Sequence, residues 1–92
     1  MVKLRLFAGL RDIVGKKEVQ LEQDGVTLKE LLKGFAAQYG EKVQGFLFDK
    51  SGNVWQSVMI LVNDEPADRD LQAPVQAGDV ISILLPTAGG SN

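Results

Sequence analysis

Apolar and polar residues alternate at the start of the chain. Residues 2–8 are apolar at every second position at first, and Lys3 and Arg5 occupy the opposite face. A period of two predicts a half-buried β-strand. Residues 17–22 resume the alternation and predict a second strand, antiparallel to the first. We interpret the glycine-bracketed residues 9–15 between them as a loop with a single helical turn at most.

The period then changes to that of a helix. Thr27 and Glu30 form a candidate capping box, in which each side chain bonds the backbone of the other residue. Gly34 lies inside this predicted helix and weakens it by about 1 kcal/mol relative to alanine, whereas Gly40 is a natural C-terminal stop. The apolar positions fall on one stripe, which contains Leu28, Leu31, Leu32, Phe35, Ala36 and Tyr39.

The second half of the chain holds two strongly apolar segments. Residues 57–63 and 79–85 are apolar on both faces, which is typical of strands that are central in a sheet or covered on both sides. The chain turns at residues 63–66, and residues 70–79 read as a loop with room for a short edge strand. Residues 41–56 include a turn and a segment whose pattern fits a helix or a strand equally well.

This order of elements predicts a two-layer α+β fold. One amphipathic helix can cover one face of a mixed sheet of four to five strands, and a hairpin, a crossing helix and a closing strand indicate the β-grasp fold of ubiquitin. We expect the folded domain to span residues 1–86, followed by a flexible tail over residues 87–92.

Composition restricts the chemistry further. The 92 residues make one domain, and the chain contains neither cysteine nor histidine. Thiol nucleophiles, thiolate metal sites and imidazole bases are therefore excluded. The acidic neighbours Asp64-Glu65 and Asp68-Asp70 lie in predicted turns, where solvated carboxylates are expected. We predict no catalytic residue, no metal site and no bound cofactor in this chain itself.

Nucleic acid and membrane are also unfavoured as partners. The net charge is −2, and we interpret the cations of the first hairpin as a solvated sheet face and loop. No apolar run approaches the ~20 residues that cross a bilayer, and the first residues do not form a signal peptide. We expect a cytoplasmic protein. The cations of the hairpin are Lys3, Arg5, Arg11, Lys16 and Lys17.

The last residues of the chain have small side chains. Pro86 suits the end of a strand because it cannot donate to a sheet hydrogen bond, and Thr87, Ala88, Gly89 and Gly90 follow it. Fully extended, the segment from Pro86 to Gly90 reaches about 13–14 Å. Paired glycines also pass through slots that are too narrow for other residues. Such a tail could carry an acyl group into another enzyme's active site, and a frayed terminus fits the composition equally well.

The chain resembles the sulfur-carrier proteins of the MoaD/ThiS family, which include the small subunit of molybdopterin synthase and the thiamine sulfur carrier. The resemblance rests on the stretches KLRLFAGLRDIVGKK, VTLKELLKGF, ILVNDEP and AGDVISILLPTAGG, which occur in the family's order over nearly the whole chain. LFAGLRDIVG and GDVISILLPTAGG are the most specific of them. Leu85 departs from the family pattern, in which a second proline is common at this position.

The resemblance implies a carrier that is not an enzyme by itself. In the family, a partner adenylyltransferase similar to ubiquitin-activating enzymes uses ATP to turn the terminal glycine carboxylate into an acyl-adenylate. A sulfur donor then gives a thiocarboxylate, whose sulfur a synthase subunit passes to an acceptor. On this chain, Gly90 is the reactive residue and Gly89 its flexible neighbour. A molybdopterin-type acceptor, another sulfur metabolite, a tRNA base and, for a protein modifier, a lysine all stay open.

Docking to such partners requires a recognisable surface. Phe7 lies on the otherwise polar face of the first strand, where two apolar residues of a later strand could join it in an exposed patch rimmed by Lys3 and Arg5. Residues 43–48 could instead cover Phe7. The predicted docking residues are Phe7, Met59, Leu61, Leu85 and Pro86.

The chain continues past the second glycine, with Ser91 and Asn92. The Gly90 carbonyl is therefore an amide, which offers no anionic oxygen to attack ATP. Three explanations compete. A processing metallopeptidase cuts between Gly90 and Ser91, or the two residues derive from cloning, or this relative has lost loading and serves as a binding module. We expect the first.

Overall fold

The computed structural model describes residues 1–23, 25–68 and 70–84. These ranges contain five strands and three helices. The strands are β1 (Val2–Leu6), β2 (Glu18–Leu21), β3 (Met59–Val62), β4 (Glu65–Pro66) and β5 (Val80–Leu84), and the helices are α1 (Ala8–Val14), α2 (Leu28–Tyr39) and α3 (Glu41–Leu47).

The strands form one mixed sheet in the order β2-β1-β5-β3-β4. β1 and β5 are parallel, and the other neighbouring pairs are antiparallel. A first hairpin, a crossing helix and a last strand that returns to the centre beside the first define the β-grasp fold. The predicted α+β class, the β-grasp fold and the mixed sheet of four to five strands are confirmed.

The hydrophobic core lies on one face of the sheet, under the helices. Alternate strand residues such as Val2, Leu4 and Ile81 are fully buried in one cluster with the apolar stripe of α2. Each fully buried side chain of this kind contributes about 1.5–3 kcal/mol, so this face supplies most of the stability. The buried residues of α2 are Leu28, Leu31, Leu32, Phe35 and Ala36, as the spacing predicts.

The ends of α2 also match the prediction. The Thr27 hydroxyl accepts a hydrogen bond from the Glu30 backbone N–H at 3.1 Å, and the Glu30 carboxylate accepts one from the Thr27 backbone N–H at 2.9 Å. Two hydrogen bonds to the Glu30 carboxylate lower the pKa of Glu30 below its ordinary value; the bond from the Thr27 backbone N–H has the larger effect, and the bond from the Thr27 hydroxyl the smaller. Gly40 ends the helix with a φ of 101°.

Residues 9–15 contradict the predicted loop, because most of them form the seven-residue helix α1. Leu10 is fully buried in the core, and Gly15 ends the helix with a φ of 82°. Gly9 is not a helix breaker here. A Cβ at this position would lie 3.0 Å from the Phe46 ring, so the glycine allows α1 to pack closely against α3.

The segment within residues 41–56 whose pattern fitted a helix or a strand is the helix α3. Val43 and Leu47 of α3 are fully buried, and they fix its position on the helical side of the sheet. The predicted turn follows, in which the Asp49 carboxylate accepts hydrogen bonds from the backbone N–H groups of Ser51 at 2.8 Å and Asn53 at 3.1 Å.

The short edge strand lies earlier than the sequence indicated. It is β4, within the predicted turn at residues 63–66, and not in the loop at 70–79. Asn63 and Asp64 have φ values of 51° and 69°, so they make a two-residue hairpin turn that lets Glu65 pair with Val62. In the later loop, Pro74 forms an isolated bridge.

Candidate functional site

The face of the sheet opposite the core carries an apolar patch. We name it the open-face patch; it consists of Phe7, Met59, Leu61 and Leu84. Met59 and Leu84 are directly opposite each other on β3 and β5. Met59 is 49% exposed, and the other three residues are half-buried. Residues 57–63 and 79–85 were predicted to be strands that are central in a sheet or covered on both sides. The strands they form, β3 and β5, are central in the sheet, and their face opposite the core carries the open-face patch.

Phe7 belongs to this face because the backbone alternation continues beyond the end of β1. Its φ of −131° and ψ of 157° are those of an extended residue, so its side chain follows Lys3 and Arg5. The Arg5 guanidinium carbon lies 5.5 Å from the centroid of the Phe7 ring, at the distance of a cation–π contact. Since Arg5 pairs with Ser82, continuing the parallel register places Phe7 beside Leu84.

The alternative position of Phe7, under residues 43–48, does not match the structure. Those residues belong to α3 and the position after it, and Val43, Leu47 and Phe48 enter the core on the other face of the sheet. Phe7 is therefore part of a surface with an apolar centre and a cationic neighbour, which is the first of the two positions that the sequence left open.

The centre of the open face is recessed. Ser82 lies between Arg5 and Leu61 in the strand register and is only 3% exposed, since the two longer side chains flank it. At the margin, the Lys3 ammonium is 3.8 Å from the Glu18 carboxylate. Both side chains are about half exposed, so this ion pair contributes little to stability. A partner that covered this face would meet apolar side chains surrounded by charged groups.

Several predicted site residues lie outside the described residues. Leu84, the last described residue of β5, is at the margin of the open-face patch, so the chain continues towards its C-terminus from that margin. The predicted residues that follow are the docking residues Leu85 and Pro86, the tail residues Thr87, Ala88, Gly89 and Gly90, and Ser91 of the processing bond.

Leu84 is a site residue that sequence reasoning missed. The signal was present in the alternation of β5, since Val80, Ser82 and Leu84 share a face. The sequence did not reveal which of the two apolar faces was open. The pairing of Met59 with Leu84 depends on the register of β3 and β5, which only the folded chain defines.

The acidic side chains are dispersed over residues 1–23, 25–68 and 70–84. No group of three or more acidic side chains comes together there that could hold a metal ion. The acidic neighbours named above are solvent-exposed, two in the β3–β4 hairpin and two around the loop that follows. Within the same ranges, no helix has the length and apolar character needed to cross a membrane.

Comparison with known proteins identifies the family. The model of the ThiS family matches residues 4–90. Small archaeal modifier protein 3 of Haloferax volcanii is 32% identical over 92 residues, which cover 97% of this chain and 98% of the relative. The family match begins within β1, includes every later helix and strand described above, and reaches the second glycine.

Solved structures agree with this assignment. The crystal structure of small archaeal modifier protein 1 of Haloferax volcanii superposes with a TM-score of 0.85 at 25% identity, over 97% of this chain and 98% of the other. That of Mycobacterium tuberculosis CysO gives 0.77 at 29% identity, over 92% and 98%. The chain therefore belongs to the ThiS family, among the ubiquitin-like small modifiers and sulfur carriers, which are generally not enzymes themselves.

Proposed function

We propose that this chain is a sulfur carrier whose C-terminal Gly90 is activated by a partner adenylyltransferase and converted to a thiocarboxylate. The observation that carries the proposal is the family match, which begins within β1 at residue 4 and reaches Gly90. The six steps from Leu84 to Gly90 span about 20 Å when extended. That length is enough for a partner docked on the open-face patch to take the acyl group into a pocket of its own.

The chemistry requires only the carboxyl group of Gly90 from this chain. A carboxylate oxygen attacks the α-phosphorus of ATP, the bond to pyrophosphate breaks, and an acyl-adenylate forms. A sulfide-level sulfur donor then attacks the carbonyl carbon, and AMP leaves with the electron pair of the broken bond. The partner supplies ATP and the catalytic groups, which fits a chain that contains no histidine or cysteine.

Activation at Gly90 first requires removal of Ser91 and Asn92. An amide carbonyl is neutral and a poor nucleophile towards phosphorus, whereas a carboxylate is anionic. We assign the cut to a metallopeptidase, whose metal-bound water attacks the Gly90 carbonyl and releases the amine of Ser91. Glycine at both positions before the cut leaves the backbone accessible to such an enzyme.

The open-face patch is the proposed docking surface for the adenylyltransferase and for the synthase subunit that accepts the sulfur. Exposed apolar residues beside charged ones are typical of protein–protein interfaces. Met59 is the most exposed of the four patch residues, and Leu84 leads directly into the tail. A molybdopterin-type precursor or another sulfur metabolite is the proposed final acceptor.

A second function, protein modification, is favoured by the name of the 32% identical relative, which is a small archaeal modifier protein. In that reaction a lysine amine of the target attacks the activated carbonyl of Gly90, the leaving group departs, and an isopeptide bond forms. Both functions use the same activated residue, so they differ only in the nucleophile that follows.

Pyrophosphate exchange tests the proposal. Chains ending at Gly90, at Gly89 and at Asn92 are each mixed with the adenylyltransferase of the cell that makes this protein, ATP and labelled pyrophosphate. We expect label to enter ATP only with the chain ending at Gly90, because the others place the carboxylate one residue short or two residues beyond. Exchange by the Asn92 form, or none by the Gly90 form, contradicts the proposal.

A further inference from the structure

Charged residues are divided between the two ends of the sheet. One end of the sheet is the end at which β1 and β5 stop. We name it the tail end, because Leu84 lies there. Since β2 and β3 are antiparallel to these strands, the same end holds the α1–β2 connection and the start of β3. The opposite end, where β1 and β5 begin, is named the far end.

Cations gather at the tail end. We name Arg11, Lys16 and Lys17 the basic collar; all three are exposed. The Lys17 carbonyl accepts a hydrogen bond from the backbone N–H of Leu6 at 2.8 Å, and Leu6 pairs with Ile83. The backbone of Lys17 is therefore only two strand spacings, about 10 Å, from β5.

The three cations form one surface. Together with Asp12 and Gly15 they line a shallow concavity of about 340 Å³, in which Asp12 is the only carboxylate among the lining residues. Glu18, the next acidic residue along the chain, points its carboxylate at Lys3, 3.8 Å away. The collar consequently keeps a net positive charge.

Carboxylates dominate the far end. Asp64 and Glu65 form part of the hairpin after β3, Asp79 precedes β5, and Glu22 follows β2. Glu65 also lines a surface concavity of about 330 Å³, which it shares with Asp68. The chain thus has a net charge of only −2, but its charges are separated along the strand direction, with the positive side around the tail.

We infer that the activating partner receives the tail through an acidic face, whose carboxylates meet the basic collar while an apolar centre covers the open-face patch. The inference rests on the proposed function. A net charge of −2 does not attract an acidic protein, but a charge separation of this kind turns the tail end towards it. The carboxylates of the far end repel the same face, so encounters in the reverse orientation are disfavoured.

A protein fits these observations better than a nucleic acid does. An acidic protein and a nucleic acid are both polyanions, but a phosphate backbone offers nothing to the apolar side chains of Met59 and Leu84, which lie at the same end of the sheet as the collar. Single-stranded nucleic acids bind with stacked aromatic residues, and the ring of Phe7, which lies just before α1, already has the Arg5 guanidinium over it.

Charge reversal tests the inference. One variant of the chain ending at Gly90 carries Lys16→Glu and Lys17→Glu. Its matched control carries Lys33→Glu and Lys50→Glu, which are exposed on the helical side and change the net charge by the same amount. Circular dichroism establishes that both are folded. The Michaelis constant of each chain is then measured by pyrophosphate exchange with the adenylyltransferase at low and high salt.

We expect the collar variant to raise the Michaelis constant by about tenfold or more at low salt relative to the control. The difference should shrink towards 1 M salt, where the Debye length falls to about 3 Å. Equal constants for the two variants overturn the inference while leaving the proposed function intact. A parent chain that supports no exchange contradicts the proposed function, and the inference falls with it.

A second readout separates the two kinds of polyanion. The full chain is titrated with transfer RNA from the same cell and, separately, with the adenylyltransferase, and backbone amide shifts are followed by NMR. We expect the enzyme to shift the amides of Lys16 and Lys17 at concentrations where the RNA does not. Tighter binding of the RNA at these residues assigns the collar to nucleic acid and overturns the inference.

Discussion

Two glycines, one inside α2 and one at its C-terminal cap, show how backbone conformation decides the effect of a side chain. Gly34 lies inside the helix, where an added Cβ would meet only the Gln23 side chain, at 3.5 Å or more. Gly40 ends the helix at a φ of 101°, which L-residues rarely adopt. The first position has the conformation and the space for alanine, whereas the second has only the space.

Gly34→Ala should therefore raise the free energy of unfolding by about 0.5–1 kcal/mol, because alanine loses less backbone entropy in a helix. Gly40→Ala should lower it by about 1–3 kcal/mol through backbone strain. Urea unfolding followed by circular dichroism measures both. A less stable Gly34→Ala variant would show that the contact with Gln23 outweighs the gain in helix propensity.

Glu30 should make stability depend on pH in the acid range. Its pKa in the folded chain lies below the ordinary value of 4.5, because the Thr27 backbone N–H and hydroxyl bond its charged form. A lowered folded pKa means that this stabilisation is complete above the unfolded pKa and is lost as the pH falls through the folded one.

The matched variant is Glu30→Gln, which keeps an acceptor for the capping box but cannot titrate. Urea unfolding of both chains near neutral pH and below pH 4.5 should show a smaller acid-induced loss in the variant. An identical acid-induced decrease in the free energy of unfolding of the two chains would mean that the hydrogen bonds from Thr27 do not lower the pKa of Glu30.

Among the elements, those with strong local signals were predictable from the sequence. α2 has a capping box, an apolar stripe and a glycine stop, and its observed ends agree with these signals. α1 was missed because Gly9 resembles a loop residue, whereas its role is to admit the ring of Phe46 from another helix. β4 was missed because it depends on the left-handed conformations of Asn63 and Asp64, which a sequence pattern does not specify.

The candidate site was predictable only where it depends on local signals in the sequence. The sequence left two positions open for Phe7, one on a shared surface with Met59 or Leu61 and one under residues 43–48, and the structure shows the first. Leu84 completes that surface only through its register with Met59, which is a long-range property of the sheet. The tail residues were assigned by resemblance to the family, and they lie outside the described residues.

The open face of β3 supplies a test of the docking surface. Met59→Glu places a charge in the apolar patch, while Ala37→Glu places the same charge on the exposed side of α2. We expect the first to raise the Michaelis constant in pyrophosphate exchange by about tenfold, which corresponds to about 1.4 kcal/mol, and the second to leave it unchanged. An unaffected Met59→Glu variant would place docking elsewhere.

The whole molecule separates stability from reactivity. The helical layer and the core occupy one face of the sheet, the open-face patch the other, and the basic collar the end from which the tail departs. Nothing in the chemistry proposed for Gly90 draws on the core. Substitutions in the core should therefore change stability without changing activation, and substitutions in the patch or the collar should do the reverse.

Intact-mass spectrometry of the protein purified from the cell that makes it tests the central claim most directly. We predict a species that ends at Gly90, together with a second one in which a single oxygen is replaced by sulfur. A population that retains Ser91 and Asn92 throughout and carries no sulfur at Gly90 would contradict the carrier function.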